Sequence, residues 1–150
     1  MVLKKGNITK NDLSKKALNL LLRNLMRKGL SIKSEKVLHD LFLLFKRTRN
    51  IHGNVVLSSL ISEVKPVVSL KRKKVGGIQY RIPVYLEDLK GSSLAVKWVV
   101  SSSCGRKLGP RFDCLSVELN SILNLEGRSL EKKQSLYDQA LLNRAYIKYL

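Results

Sequence analysis

Four consecutive cations, Lys71-Arg72-Lys73-Lys74, run into Val75-Gly76-Gly77, with Tyr80 and Arg81 close behind. No acid lies between Lys65 and Leu86, so these charges repel one another on the isolated chain. Such a run neutralises a phosphate backbone and releases its condensed counterions, a gain available from any nucleic acid. Side chains alternate across an extended strand, so a ribbon carrying this run is expected to be basic on both faces. The paired glycines permit a tight tip and close backbone approach, and the Tyr80 ring offers a surface on which a base can stack. The same residues also suit a solvated basic turn or a nuclear-localisation-like patch.

Residues that carry covalent or acid–base chemistry are not arranged to do it. The chain has no P-loop, no GxGxxG, no HExxH and no GxSxG. Glu87 and Asp88 are adjacent, so their side chains point apart and read as a solvated strand end. His39 falls beside the apolar face of a helix and reads as a surface or half-buried structural histidine. Cys104 and Cys114, with His39 and His52 far upstream, match no zinc spacing and read as two inert half-buried thiols. No catalytic residue, metal, cofactor or small-molecule substrate is expected.

Charge narrows the partner. Against 29 Lys and Arg stand 11 Asp and Glu, a formal net charge of +18 on 150 residues. Self-repulsion on that scale favours a polyanionic partner. The excess is +10 over 1–50, +5 over 51–100 and +3 over 101–150. A membrane surface would favour one helix with a concentrated basic face, whereas here basic residues recur in almost every segment. No run of about 20 apolar residues exists to span a membrane, and Met1-Val2-Leu3-Lys4-Lys5 lacks the apolar stretch of a secretory signal. With 44% hydrophobic residues the chain can build one core without disulfides or metals.

The elements that must position the basic run follow from periodicity. Asn11 or Asp12 is expected to cap a first helix through Leu18, Leu21, Leu22, Leu25 and Met26, closed by Gly29. Ser34 is the expected cap of a second, where Leu38, Leu41, Phe42 and Phe45 share a face. Leu57, Leu60, Ile61 and Val64 mark a third, stopped by Pro66. The period then changes to two: Ile78, Tyr80, Ile82, Val84 and Leu86 alternate with Gln79, Arg81, Pro83 and Tyr85, a strand. Val67-Val68-Ser69-Leu70 reads as its partner across Gly76-Gly77, whose freedom at positive φ suits a two-residue hairpin turn. Pro83 restricts this pair to an edge or a free-standing ribbon. Such a ribbon is marginal alone and must be anchored near Val67 and Val84.

Helical period returns at Ala95, Trp98, Val99 and Ser102, with Gly91-Ser92-Ser93 as turn and cap. Gly105 to Pro110 reads as a loop carrying Arg106 and Lys107. Leu115, Leu119 and Ile122 line a fifth helix ending near Glu126-Gly127. A polar loop then leads to a last helix presenting Leu142, Ala145, Tyr146 and Tyr149 on one face. The expected organisation is a short basic arm over 1–11 and one mainly α domain over 12–150, with a hairpin at about 67–86.

The stretch Lys71-Arg72-Lys73-Lys74-Val75-Gly76-Gly77-Ile78-Gln79-Tyr80-Arg81-Ile82-Pro83-Val84 resembles the signature of the universal small-subunit ribosomal protein seven family. That signature is basic-basic-V-G-G, two variable residues, then Y-Q-V-P-V. Leu94-Ala95-Val96-Lys97-Trp98-Val99-Val100 is similar to its R-W-[IL]-[VL] helix, and Asn143-Arg144-Ala145-Tyr146-Ile147-Lys148-Tyr149 to its N-[KR]-A-F-A-H-[YF] ending. The resemblance implies a six-helix bundle with an inserted, protruding β-hairpin. It implies a primary binder of small-subunit rRNA that organises the head, among neighbouring small-subunit proteins. Its hairpin would lie near the exit-site tRNA and the mRNA path.

Carried over by residue, Lys71, Arg72, Lys73 and Lys74 would hold phosphates, and Gly76 and Gly77 would form the tip. Lys97 stands where the family has arginine, keeping charge but losing the bidentate fork, and Trp98 would pack between helices. Asn143 and Arg144 would face RNA. Arg106 and Lys107 match a basic loop after the fourth helix, and Lys132 and Lys133 one before the last. Arg81 replaces the family's glutamine, and the arm offers only Lys4, Lys5 and Lys10. This drift suggests a mitochondrial ribosome, with a bacterial cytoplasm or plastid as the alternative. The runner-up reading is a stand-alone DNA-binding regulator of the winged helix-turn-helix kind, whose helices and basic wing look similar from composition alone.

Overall fold

The computed structural model describes residues 10–26, 28–50, 52–105 and 109–150. Its elements run α1 (Lys10–Leu25), α2 (Ser31–Arg49), α3 (Gly53–Val64), β1 (Val68–Val75), β2 (Ile78–Tyr85), α4 (Asp88–Cys104), α5 (Arg111–Leu123), α6 (Arg128–Leu142) and a 3-10 segment (Arg144–Tyr149). The expected class, mainly α with an antiparallel hairpin, is the one observed. The expected arm lies outside the described residues as far as residue 9, and its last two positions belong to α1.

The core is built by the faces that periodicity marked. Leu21 and Leu25 of α1, Leu38, Leu41 and Phe45 of α2, and Leu57, Leu60 and Val64 of α3 are buried in one cluster. Ala95, Val96 and Val99 of α4 and Leu115, Leu119 and Ile122 of α5 complete it. Spacings of three and four place such residues on one stripe of a helix, and burying that stripe is the main source of helical stability. By contrast α6 buries only Ser129 completely and lies as a half-exposed strap. It is tied to α4 by Lys132 Nζ donating to Ser101 Oγ (2.7 Å), and to α3 by Lys133 Nζ donating to the Glu63 carbonyl.

Several helix starts differ from expectation, each for a physical reason. Asn11 and Asp12 lie inside α1 rather than capping it. Ser34 lies one turn inside α2, where its hydroxyl donates to the Ser31 carbonyl at 2.7 Å instead of capping the end. Gly91, Ser92 and Ser93 are not a turn: they belong to α4, which begins at Asp88. Gly91 is there for clearance, since a Cβ at that position would stand 3.0 Å from the Pro66 carbonyl oxygen. Asp88 sits in the first turn of α4, where a carboxylate suits the helix dipole, and pairs with Lys65 at 2.5 Å.

The largest correction concerns the chain's end. The expected polar loop before the last helix is α6 itself, and the tyrosine motif forms the 3-10 segment beyond it. The start of α6 is set from another helix. Glu118 of α5 is fully buried, and its Oε1 accepts from the Ser129 backbone N–H (3.0 Å) and hydroxyl (2.6 Å). A carboxylate so placed satisfies a free N–H of the first turn and complements the dipole. Leu142, expected on one helical face with Ala145, Tyr146 and Tyr149, is the exposed last residue of α6, while those three lie in the 3-10 segment.

The ribbon follows its expected plan closely. Val68 pairs with Tyr85 and the register continues without a break to Val75 opposite Ile78. Gly76 and Gly77 take φ of 58° and 88°, the positive values that the tight two-residue turn requires. At the root, Leu86 N–H donates to the Val67 carbonyl (2.8 Å) and Val67 N–H to the Tyr137 hydroxyl of α6 (3.2 Å). Pro83 sits opposite Leu70 in a sheet of two strands, where its missing donor disrupts no third strand.

Candidate nucleic-acid interface

Directly opposed residues of an antiparallel pair leave the same face, so the register sorts the ribbon into two surfaces. One carries Ser69, Lys71, Lys73, Val75, Ile78, Tyr80, Ile82 and Val84. The other carries Val68, Leu70, Arg72, Lys74, Gln79, Arg81, Pro83 and Tyr85. Both faces carry cations, as alternation along the strands implies, but the rest of the chain treats them differently.

The first face is partly closed by the 3-10 segment. Ile82 is 1% exposed. The Tyr80 ring lies 4.9 Å from that of Tyr146 and 5.2 Å from that of Tyr149, centroid to centroid. In a 3-10 turn residues three apart eclipse, which brings Tyr146 and Tyr149 to the same side with stacked rings 6.5 Å apart. Lys73 Nζ donates to the backbone oxygens of Tyr149 (2.7 Å) and Leu150 (2.8 Å), and Lys148 Nζ stands 5.0 Å over the Tyr149 ring. Tyr80, expected as a stacking surface for a base, therefore already has ring partners, and Lys73 already has acceptors. Lys71, on the same face, is exposed.

The second face is open over its outer half. Arg72, Lys74, Gln79 and Arg81 are exposed, with Arg72 and Arg81 opposite one another. Tyr85 is on this face and 71% exposed. It was missed as a candidate although strand alternation alone puts it on the side of Arg81. Among the described residues the Lys and Arg ion pairs are Lys65–Asp88 and Lys90–Glu87, both at the ribbon's root. Among the described residues no ion pair is formed at the tip.

The remaining expected contacts divide. Lys97 is exposed on α4, while its neighbour Trp98 is half-buried against the core, as expected of a packing residue. Arg106 and Lys107 lie outside the described residues. Lys132 and Lys133 are not in a loop: they sit in α6, half-buried, with the body partners given above. Asn143 Nδ2 donates to the Gln139 carbonyl (2.7 Å), closing the end of α6, whereas Arg144 is exposed. A further cation, Arg128, begins α6 and lines a groove with Trp98 and Lys132.

Among the described residues no group of three or more His, Cys, Asp or Glu is placed to hold a metal ion. No helix there is long and apolar enough to cross a membrane. The two thiols are not an equivalent half-buried pair, since Cys104 is exposed and Cys114 buried.

Comparison with known proteins adds an independent line. The sequence profile described as Ribosomal protein S7p/S5e matches residues 2–144. A protein of Lactobacillus delbrueckii subsp. bulgaricus named small ribosomal subunit protein uS7 is 28% identical, over 97% of this chain and 97% of its own length. Its namesake in Clostridioides difficile is 26% identical over the same shares. That of Campylobacter curvus is 29% identical over 79% of this chain and 76% of its own.

Proposed function

The chain belongs to the ribosomal protein S7p/S5e family, whose members are structural and not enzymes, and from that premise we propose that it is a constituent of the small ribosomal subunit which binds small-subunit rRNA directly. The observation that carries this reading is the acid-free ribbon. Among the described residues its cations form no ion pair, and their repulsion is relieved by a phosphate backbone. Lys71, Arg72, Lys74 and Arg81 are its contacts, with Gly76 and Gly77 as the tip. Lys97, Arg106, Lys107 and Arg144 are the outlying ones. Lys73, Tyr80, Lys132, Lys133 and Asn143 act one step back, by orienting the ribbon and α6.

Within the subunit the protein organises the head, beside neighbouring small-subunit proteins, with the ribbon towards the exit-site tRNA and the mRNA path. The compartment we propose is the mitochondrial ribosome. Identities of 26–29% to the bacterial relatives quoted above fit a diverged lineage. Sedimentation of a native extract with ultraviolet cross-linking tests both levels. Comigration with small subunits and an rRNA cross-link in the ribbon are expected. A discrete soluble protein that prefers duplex DNA would overturn the assignment, and recovery in cytosolic ribosomes alone would overturn the compartment.

A further inference from the structure

Arg72 and Arg81 are the one pair of like charges set directly across the ribbon. Opposed residues have Cα atoms about 4.5–5.5 Å apart and share a face, so their guanidiniums leave the sheet side by side. Both are exposed, and neither has an ion-pair partner among the described residues. Like charges so placed destabilise a strand pair, and this ribbon has little to spare, since Ile82 is its one fully buried side chain. The nearby acids are engaged at the root, Asp88 with Lys65 and Glu87 with Lys90. Of the two lysines on the other face, Lys73 has backbone acceptors and Lys71 stands opposite the uncharged Ile82. Among the described residues no ion pair compensates the repulsion at this one rung.

The geometry also says what would compensate it. A guanidinium offers a rigid planar fork that matches two oxygens of one phosphate, which an ammonium does not. Two forks leaving one face from opposite strands of the same rung can both reach the space above it. A single phosphodiester there accepts from both and cancels the repulsion between them. Bases stay outside such a site, so it holds a backbone without reading sequence.

We propose that Arg72 and Arg81 form one phosphodiester clamp on the open face of the ribbon, acting on one RNA phosphate rather than two. The proposal rests on the RNA-binding reading above. Its test uses the full chain and a transcript of the small-subunit rRNA head, with affinity measured across a salt series for wild type, Arg72→Gln, Arg81→Gln and the double variant. A Lys36→Gln/Lys46→Gln variant on α2 controls for lost charge, and thermal melts confirm folding. Each single variant should weaken binding by about tenfold, the double by little more. In all three the salt slope should fall by about 0.7–0.9, the share of one phosphate. Multiplicative losses with a doubled change in slope would mean two separate contacts and overturn the clamp. Wild-type affinity and slope in all three, beside a steep wild-type slope, would overturn the clamp and leave RNA binding standing. A wild type that binds the transcript no better than duplex DNA would overturn the RNA reading and the clamp with it.

Discussion

In the helical body Leu41, Phe45, Val64, Ala95 and Ile122 are essentially sealed from solvent and touch across four helices, whereas in the ribbon Ile82 alone is. The body holds nearly all the acids, and one of them, Glu118, is buried where it fixes the start of α6. The ribbon's two strands hold none. Packing and net positive charge are therefore separated in space. Charge that would weaken a packed core is carried on a finger whose own folding matters less. The finger is held at its root by Val67 and Leu86 and along one face by Tyr80, Tyr146 and Tyr149.

This contrast can be broken or sharpened by substitution, in descending order of effect on stability. Phe45→Ala should cost about 3–5 kcal/mol, the usual loss for a fully buried aromatic, read by denaturant unfolding with RNA affinity per folded molecule unchanged. Trp98→Ala, at a half-buried site, should cost less, about 2–3 kcal/mol; a loss of RNA binding at wild-type stability would move Trp98 to the binding side of the divide. Glu118→Ala strands the Ser129 N–H and hydroxyl and should cost about 1–3 kcal/mol, with faster hydrogen exchange confined to the first turns of α6.

Tyr149→Ala removes ring contacts to both Tyr80 and Tyr146 and should cost about 0.5–1.5 kcal/mol, the scale of aromatic contacts, and should raise exchange in the ribbon while the body stays protected. Equal loosening of both regions would show that the ribbon is not held separately. Smallest of all, neutralising Lys71, Arg72, Lys73 and Lys74 together should shift stability within about 0.5 kcal/mol, as surface changes do. It should nevertheless flatten the salt dependence of RNA binding. An unchanged slope would place the phosphate contacts on the body and remove the contrast.

Legibility in the sequence followed the range of the interactions. The faces of α2, α3 and α5 and the hairpin with its turn could be read because each rests on residues within one or two turns, or directly across a two-residue loop. Gly91 misled because glycine looks like a breaker when its neighbour in space, the Pro66 carbonyl, is unseen. The start of α6 was hidden because its partner, Glu118, is eleven residues away from Ser129 on another helix. Lys132 and Lys133 were misplaced with it.

By itself, then, the sequence determined the class of fold, the basic run, its turn and, through its motifs, membership of the family. Each of these depends on local periodicity, on backbone freedom at two glycines, or on charge that no fold can remove. Tertiary structure alone decided which face of the ribbon stays open. Alternation makes both faces basic, and only the return of the 3-10 segment, with Tyr146 and Tyr149 against Tyr80 and two backbone oxygens on Lys73, makes them unlike. That choice is made by contacts such as that of Lys73 with Tyr149, 76 residues apart along the chain, which no local pattern encodes.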